Sequence, residues 1–195
     1  MNFKFKAKFI RNWETKVRVV KNNINKKIKL EIKRYLLKHY KKVLIIEFDA
    51  EWKYNVKNAW ISVIQLSTGR YTFIFKLQGR YRTWIPNYLK FILNTCRFVG
   101  KGIDQDLKKL SRYNIYPNII ELHDLLYMVD IPLKNKYNVN NLIEYYFGSS
   151  NVEKNKEIAK SDWTQKLNKD QIIYASYDVY VIYCLYSVIS RSNLI

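Results

Sequence analysis

At 195 residues, 48% of them hydrophobic, the chain is long enough for one domain with a real core and too apolar to stay disordered. Its two cysteines, Cys96 and Cys184, are too few for a disulfide framework and fit no metal-ligand spacing, which points to a reducing compartment. The net charge of +19 is lopsided: residues 1–42 hold 15 Lys/Arg against Glu14 and Glu31, and the remainder hold 20 against 14.

A basic end invites an acidic partner, and nucleic acid is the commonest. The same excess, with 26 Lys to 9 Arg, also suits the compositional bias of an AT-rich genome, and charge does not choose between the two. The first residues, MNFKFKAKFI, lack the continuous apolar stretch of a secretory signal. The longest apolar run, VYVIYCLYSVIS (179–190), falls short of the ~18 residues that span a bilayer, so no membrane partner is expected.

Along the chain, FKFKAKF alternates apolar and basic residues, the period of a strand or of an extended basic arm. ETKVRVVK (14–21) predicts a short edge strand. Between Asn23 and Tyr40, Ile24, Ile28, Ile32, Tyr35, Leu36 and Tyr40 recur every three or four residues. That pattern predicts an amphipathic helix capped by Asn22 or Asn23, with its lysines on the solvated face. KVLIIEFDAEW is apolar enough to be a central strand. AWISVIQLST (59–68) and RYTFIFKL (70–77) flank Thr68-Gly69 and predict an antiparallel hairpin.

A helix is expected over PNYLKFILNT (86–95) and a strand over CRFVGKGI (96–103), where Gly100 and Gly102 permit close backbone approach. DQDLKKLSRYNI (104–115) predicts a helix, and NIIELHDLL (118–126) a short strand running into another. Residues 140–148 form a further helix, SSNVEKNKEIAKSDW a polar connection, and QIIYASYDVYVIYCLYSVI (171–189) an apolar closing helix. Strands first and then alternation predict an α/β fold with a mixed sheet.

The central strand poses a chemical question. Side chains at i and i+2 share one face of a strand, so Asp49 and Glu51 point the same way from an apolar segment. Unpaired buried charge is costly there. A cation between the two would remove the cost, and oxygen-only ligands favour Mg2+ or Mn2+. The D-x-E triplet alone is common by chance. It has companions: Asp106, the last residue of VGKGIDQD, at the start of a helix just after that stretch's Gly-rich strand end, and Asp178, in YASYD within the closing helix. Tyr174 lies four residues before Asp178 on the same helix face. A capping or surface Asp is the ordinary alternative, and Ile172, Ile173, Val179, Val181 and Ile182 around Asp178 argue against it.

FDAEW, GIDQD and YASYD, in this order and spacing, resemble the motifs of the DEDDy-type 3′–5′ exonucleases. The likeness is closest to the exonuclease domain of the Werner-syndrome helicase, with RNase D more distant. VIQLS (63–67), ELHD (121–124), KNKEIAKSDW (154–163) and Gln171 fit the same pattern. The likeness covers 16–195 as a 3′–5′ exonuclease domain and leaves 1–15 as a basic N-terminal arm. It implies a ribonuclease H-like mixed β-sheet with an antiparallel hairpin, flanked by helices. It also implies phosphodiester hydrolysis by two divalent ions, Mg2+ or Mn2+, about 3.5–4 Å apart, releasing nucleoside monophosphates.

On this likeness Asp49 would bridge both ions, Glu51 and Asp178 would hold the ion carrying the nucleophilic water, and Asp106 would help hold the second. The Tyr174 hydroxyl would orient that water. His39 and His123 belong to no matching motif. The chain departs from the pattern at Glu47, where relatives carry a small residue, and at Lys108, where the Werner-type domain has a tryptophan. It departs again at Lys166-Leu167, for the usual Pro-Leu, and at Tyr177, for a small residue.

The expected partner is a nucleic acid with a 3′ end, DNA ahead of RNA, gripped by backbone charge and base stacking. Lys101 and Lys156 are candidates for phosphate contacts, and Trp52 for packing under the site or meeting a base. Residues 1–42 would extend the phosphate track. RNA 3′-end trimming of the RNase D type and a weakly active nucleic-acid-binding module are the alternatives. By analogy the expected residence is intracellular, with the nucleus ahead of cytoplasm or mitochondrion.

Overall fold

The computed structural model describes residues 2–6, 14–21, 26–41, 45–77, 83–128, 138–148 and 155–192. Among them, seven strands form one sheet: β1 (Asn2–Lys6), β2 (Glu14–Lys21), β3 (Ile46–Trp52), β4 (Ile61–Ser67), β5 (Tyr71–Lys76), β6 (Arg97–Gly100) and β7 (Asn118–Glu121). Their spatial order is β1-β2-β5-β4-β3-β6-β7. β4 runs antiparallel to both neighbours, β3 and β5, while β6 and β7 run parallel to β3, and β2 runs parallel to β5. This is the mixed α/β sheet that the sequence pattern predicts.

Among the described residues, seven helices cover it: α1 (Lys26–Lys41), α2 (Asn87–Thr95), α3 (Asp104–Ser111), α4 (Leu122–Met128), α5 (Val139–Phe147), α6 (Lys156–Ala159) and α7 (Lys169–Ser192). Strand alternation sorts the core into two faces. Ile46, Phe48 and Ala50 of β3, with Leu66, Phe73 and Phe75, pack under Ile32 and Leu36 of α1 and Leu89, Ile92 and Leu93 of α2. On the other face Val17, Val63 and Ile74 pack against Trp163 and against Ile172 and Ala175 of α7. The distal half of α7 meets α4 and α5 through Val181, Ile182 and Leu185. Burial of each large side chain contributes roughly 1.5–3 kcal/mol. By length and composition α7 is apolar enough to cross a membrane, but here it lies against the sheet with most of that surface buried.

The β4–β5 hairpin turns where the Thr68-Gly69 signal predicts. Gly69 has φ +73°, and a Cβ there would lie 2.2 Å from the Tyr183 ring, so both the turn and the contact with α7 require glycine.

Several expectations are corrected. β2 is not an edge strand, because β1 pairs along its outer side and satisfies the backbone groups an edge would expose. β6 stops at Gly100, since Gly102, at φ +70°, turns the chain into α3. α3 itself ends at Ser111 rather than continuing to 115. The polar connection contains α6, whose start is capped by the Asn155 side chain accepting from Glu157 and Ile158 N–H. The α1 cap at Asn22 or Asn23, and Val43 and Leu44, lie outside the described residues.

Candidate active site

β3 places its acids on the face opposite Phe48 and Ala50. There Asp49 stands across from Gln65, and Glu51 from Val63, on β4. A register shift after Glu51 ends regular pairing at Trp52, so the strand bends where its last acid is presented. α7 crosses this same face and delivers Tyr174 and Asp178, one helical turn apart. Asp49, Glu51 and Asp178 each offer a carboxylate oxygen, and these atoms lie within 4.8 Å of one another.

Asp106 arrives from the third side. Gly100 lets β6 end close to β3, because a Cβ would stand 2.3 Å from Ile103 Cγ2 and 3.1 Å from the Phe48 carbonyl oxygen. The turn that follows is clamped by Glu121 of β7, whose carboxylate accepts from Gly102 N–H at 2.8 Å and Ile103 N–H at 3.2 Å. α3 then starts with Asp106 facing inward, only 5% exposed, where its carboxylate accepts from the Ala50 N–H.

The five side chains line one cavity of about 390 Å³, together with Glu47, Trp52 and Lys101. Lys101 is the one cation among the lining residues, against five carboxylates. Glu47 is 1% exposed and Asp178 is 7% exposed, so much of this charge is out of water. Burial first, and then the neighbouring Asp49, push the Asp106 carboxyl up to about 8. Its Oδ1 has no hydrogen-bond partner among the described residues. An oxygen-only, electron-rich set with an orphaned buried oxygen fits a hard divalent cation, which would compensate what the protein leaves unbalanced.

The Tyr174 hydroxyl is hydrogen-bonded to Asp178. Burial, followed by the charges of Asp178, Glu51 and Asp49, raises its pKa well above the usual phenol range. It is therefore a neutral donor at neutral pH. Its ring leans on Trp163, with centroids 6.0 Å apart. Trp163 is wholly buried and its loop is held from two sides. Gln171 donates to Ser161 Oγ at 2.9 Å, and the Lys76 ammonium, itself 3% exposed, donates to the Trp163 carbonyl at 2.9 Å and the Thr164 carbonyl at 3.3 Å.

Of the three substrate candidates, Trp52 and Lys101 line the cavity. Trp52 also packs against the core, with Lys109 Nζ 4.5 Å from its ring. Lys156 is exposed on α6 and is not among the lining residues. Sequence reading missed Lys76, which looks like an ordinary strand lysine until its carbonyl partners are seen, and the clamping role of Glu121, although ELHD marked the place.

A mixed sheet whose central strand, a neighbouring helix start and a crossing helix converge four acids and a tyrosine defines a ribonuclease H-like nuclease fold. The sequence pattern of the family described as 3′-5′ exonuclease matches residues 24–192, and the chain belongs to that family. The activity that names this family, 3′-5′ exonuclease, is a phosphodiester hydrolysis.

A protein of Acanthamoeba polyphaga mimivirus assigned as a 3′-5′ exonuclease, R431, is 29% identical over 157 residues. That match takes in 73% of this chain and 39% of the viral protein, so the chain spans about two fifths of its relative's length. Among solved structures, the exonuclease domain of Aedes aegypti Nibbler superposes with a TM-score of 0.68 at 20% identity, covering 90% of this chain and 87% of that one. Escherichia coli RNase D, an exoribonuclease involved in structured RNA processing, gives a TM-score of 0.64 at 16% identity, covering 90% and 44%. At these identities the likeness is one of fold.

Proposed function

We propose that the chain shortens nucleic acid from its 3′ end by metal-dependent hydrolysis, releasing nucleoside monophosphates, with DNA as its first substrate. The observation that carries this reading is the meeting of Asp49, Glu51 and Asp178 oxygens within 4.8 Å, from segments about 130 residues apart in sequence.

Asp49, Glu51 and Asp178 would hold one divalent ion, and Asp106 with Asp49 a second. Bound there, such ions lower the pKa of water and stabilise the leaving 3′ oxygen. The protein's own residues do the rest. Tyr174, neutral and anchored on Asp178, orients the attacking water and cannot act as the base. Trp163 at its back keeps the ring from swinging away. Lys101, the one cation among the described lining residues, offers a contact for a backbone phosphate.

The preference for DNA rests on the motif likeness to the Werner-type domain. The fold likeness to RNase D supports RNA as the second reading. End-labelled DNA and RNA strands of one sequence, incubated with Mn2+ or Mg2+, test both. Stepwise shortening from the 3′ end, lost on Asp49→Ala and with chelator, is expected, faster on DNA. Tight binding without shortening would sink the enzyme reading, and faster loss of the ribose strand would reverse the substrate order.

A further inference from the structure

The sheet separates two surfaces. The site acids leave β3 toward α7, whereas Phe48 and Ala50 leave it toward α1, so α1 lies across the sheet from the carboxylate cavity. The described buried stripe of α1 is Ile32 and Leu36. Its other described positions are strongly cationic: Lys26, Lys27 and Arg34 are exposed, and Lys29 and Lys33 are half-buried. Glu31 is the one acid in the helix, and Arg18 of β2 pairs with it at 3.4 Å.

Two features set this face apart from a simply solvated one. First, α1 has no acid in its first turn and begins with two lysines, where the partial positive charge of the helix end favours Asp or Glu. That placement lowers helix stability and concentrates positive charge. Second, the seam with α2 sets cations against flat rings. Lys33 Nζ lies 3.7 Å from the Phe91 centroid, and Lys29 Nζ 5.6 Å from that of Tyr88. Phe91 remains 43% exposed and Leu30 44%. Cations alternating with open aromatic surface are what a single strand requires, charge for its phosphates and rings for its bases.

We propose that the α1–α2 face is a second, non-catalytic binding surface for single-stranded nucleic acid, holding the part of the substrate strand remote from its reacting 3′ end. The inference rests on the exonuclease reading for the nature of the ligand. It separates grip from chemistry: a strand long enough to reach around the sheet is held at two places, a very short one only at the cavity.

The test uses the full chain with Lys26→Glu, Lys27→Glu and Arg34→Glu combined. All three side chains are exposed and remote from the cavity, and glutamates at the helix start suit its dipole, so folding is maintained and checked by circular dichroism and melting. Binding of a labelled single strand of about 30 nucleotides is read by fluorescence anisotropy in chelator, across a salt series. The variant is expected to bind at least about tenfold more weakly at low salt, with the log–log salt slope shallower by about 2. Turnover of a substrate of about four nucleotides is expected to be unchanged. Phe91→Ala is expected to weaken binding several-fold with the salt slope unaltered.

A folded triple variant with wild-type affinity and slope would overturn the proposal, as would displacement of the strand by polyglutamate as effectively as by unlabelled strand. Binding is read without metal, so failure of hydrolysis and failure of this surface are seen separately.

Discussion

At Asp106 the cost of the site is concentrated in one side chain. Its carboxyl, raised to about 8, stays protonated in the metal-free fold at pH values where the unfolded chain has already lost the proton. The folded state then binds more protons than the unfolded one, so stability is greatest below pH 4 as far as this group is concerned. It is lost as pH rises toward 8. We expect urea unfolding of the chelator-treated protein to show that decline between pH 5 and 8, and Asp106→Asn to flatten it. A metal-free stability that rises with pH over this window, unchanged by the substitution, would contradict the assignment.

Tyr174 makes a different prediction at the same scale. Tyr174→Phe removes the hydroxyl and keeps the ring against Trp163. It is expected to lower kcat about 10- to 100-fold with KM and Mn2+ affinity little changed. Asp49→Asn is expected to abolish metal binding together with about 10²-fold or more of the rate. Equal losses of metal affinity in the two variants would deny the tyrosine a positioning role.

Elements rather than single residues decide how well the site holds its shape. The loop under Tyr174 depends on Lys76, whose ammonium also donates to the carbonyl of Leu77 at 3.2 Å. Lys76→Met leaves buried carbonyls without that donor and is expected to cost roughly 1–3 kcal/mol, with a fall in kcat and altered near-UV dichroism from Trp163. A loss of stability with kcat intact would show that the loop is not coupled to Tyr174.

How much of this was readable differs by element. β3, the β4–β5 hairpin, α2, α5 and α7 follow from hydrophobic period and turn residues, because those signals are local. β1's pairing, the end of β6 and the existence of α6 were not readable. They depend on partners distant in sequence or, for α6, on a single cap within a polar run. Lys76 stayed hidden for the same reason: its carbonyl partners at 163 and 164 are nearly ninety positions away.

For the molecule as a whole, five carboxyl groups around one cavity, with Asp106 driven to hold its proton, mean that the metal-free fold carries repulsion that ligand binding relieves. Saturation with Mn2+ at about 100 times its Kd is expected to add about 2.7 kcal/mol. Asp49→Ala is expected to lose that gain while melting higher than the metal-free parent, by roughly 0.5–2 kcal/mol, as a site relieved of its own charge should. A metal-free variant less stable than its parent would show that Asp49 carries a structural role that outweighs the repulsion.

By itself the sequence determined the period of the main elements, the excess of positive charge in residues 1–42, and the D-x-E pair with Asp106, Tyr174 and Asp178 as its candidate companions, which the likeness to a known family joined into one set. The first three are properties of residue type and short spacing, which survive without a fold. Only the tertiary structure decided that Asp49, Glu51 and Asp178 share a space under 5 Å wide, that Asp106 is forced toward neutrality beside them, and that the basic helix lies across the sheet from the cavity. Distance, burial and sidedness arise from how strands far apart in sequence pair and which face each helix covers, and no local pattern encodes them.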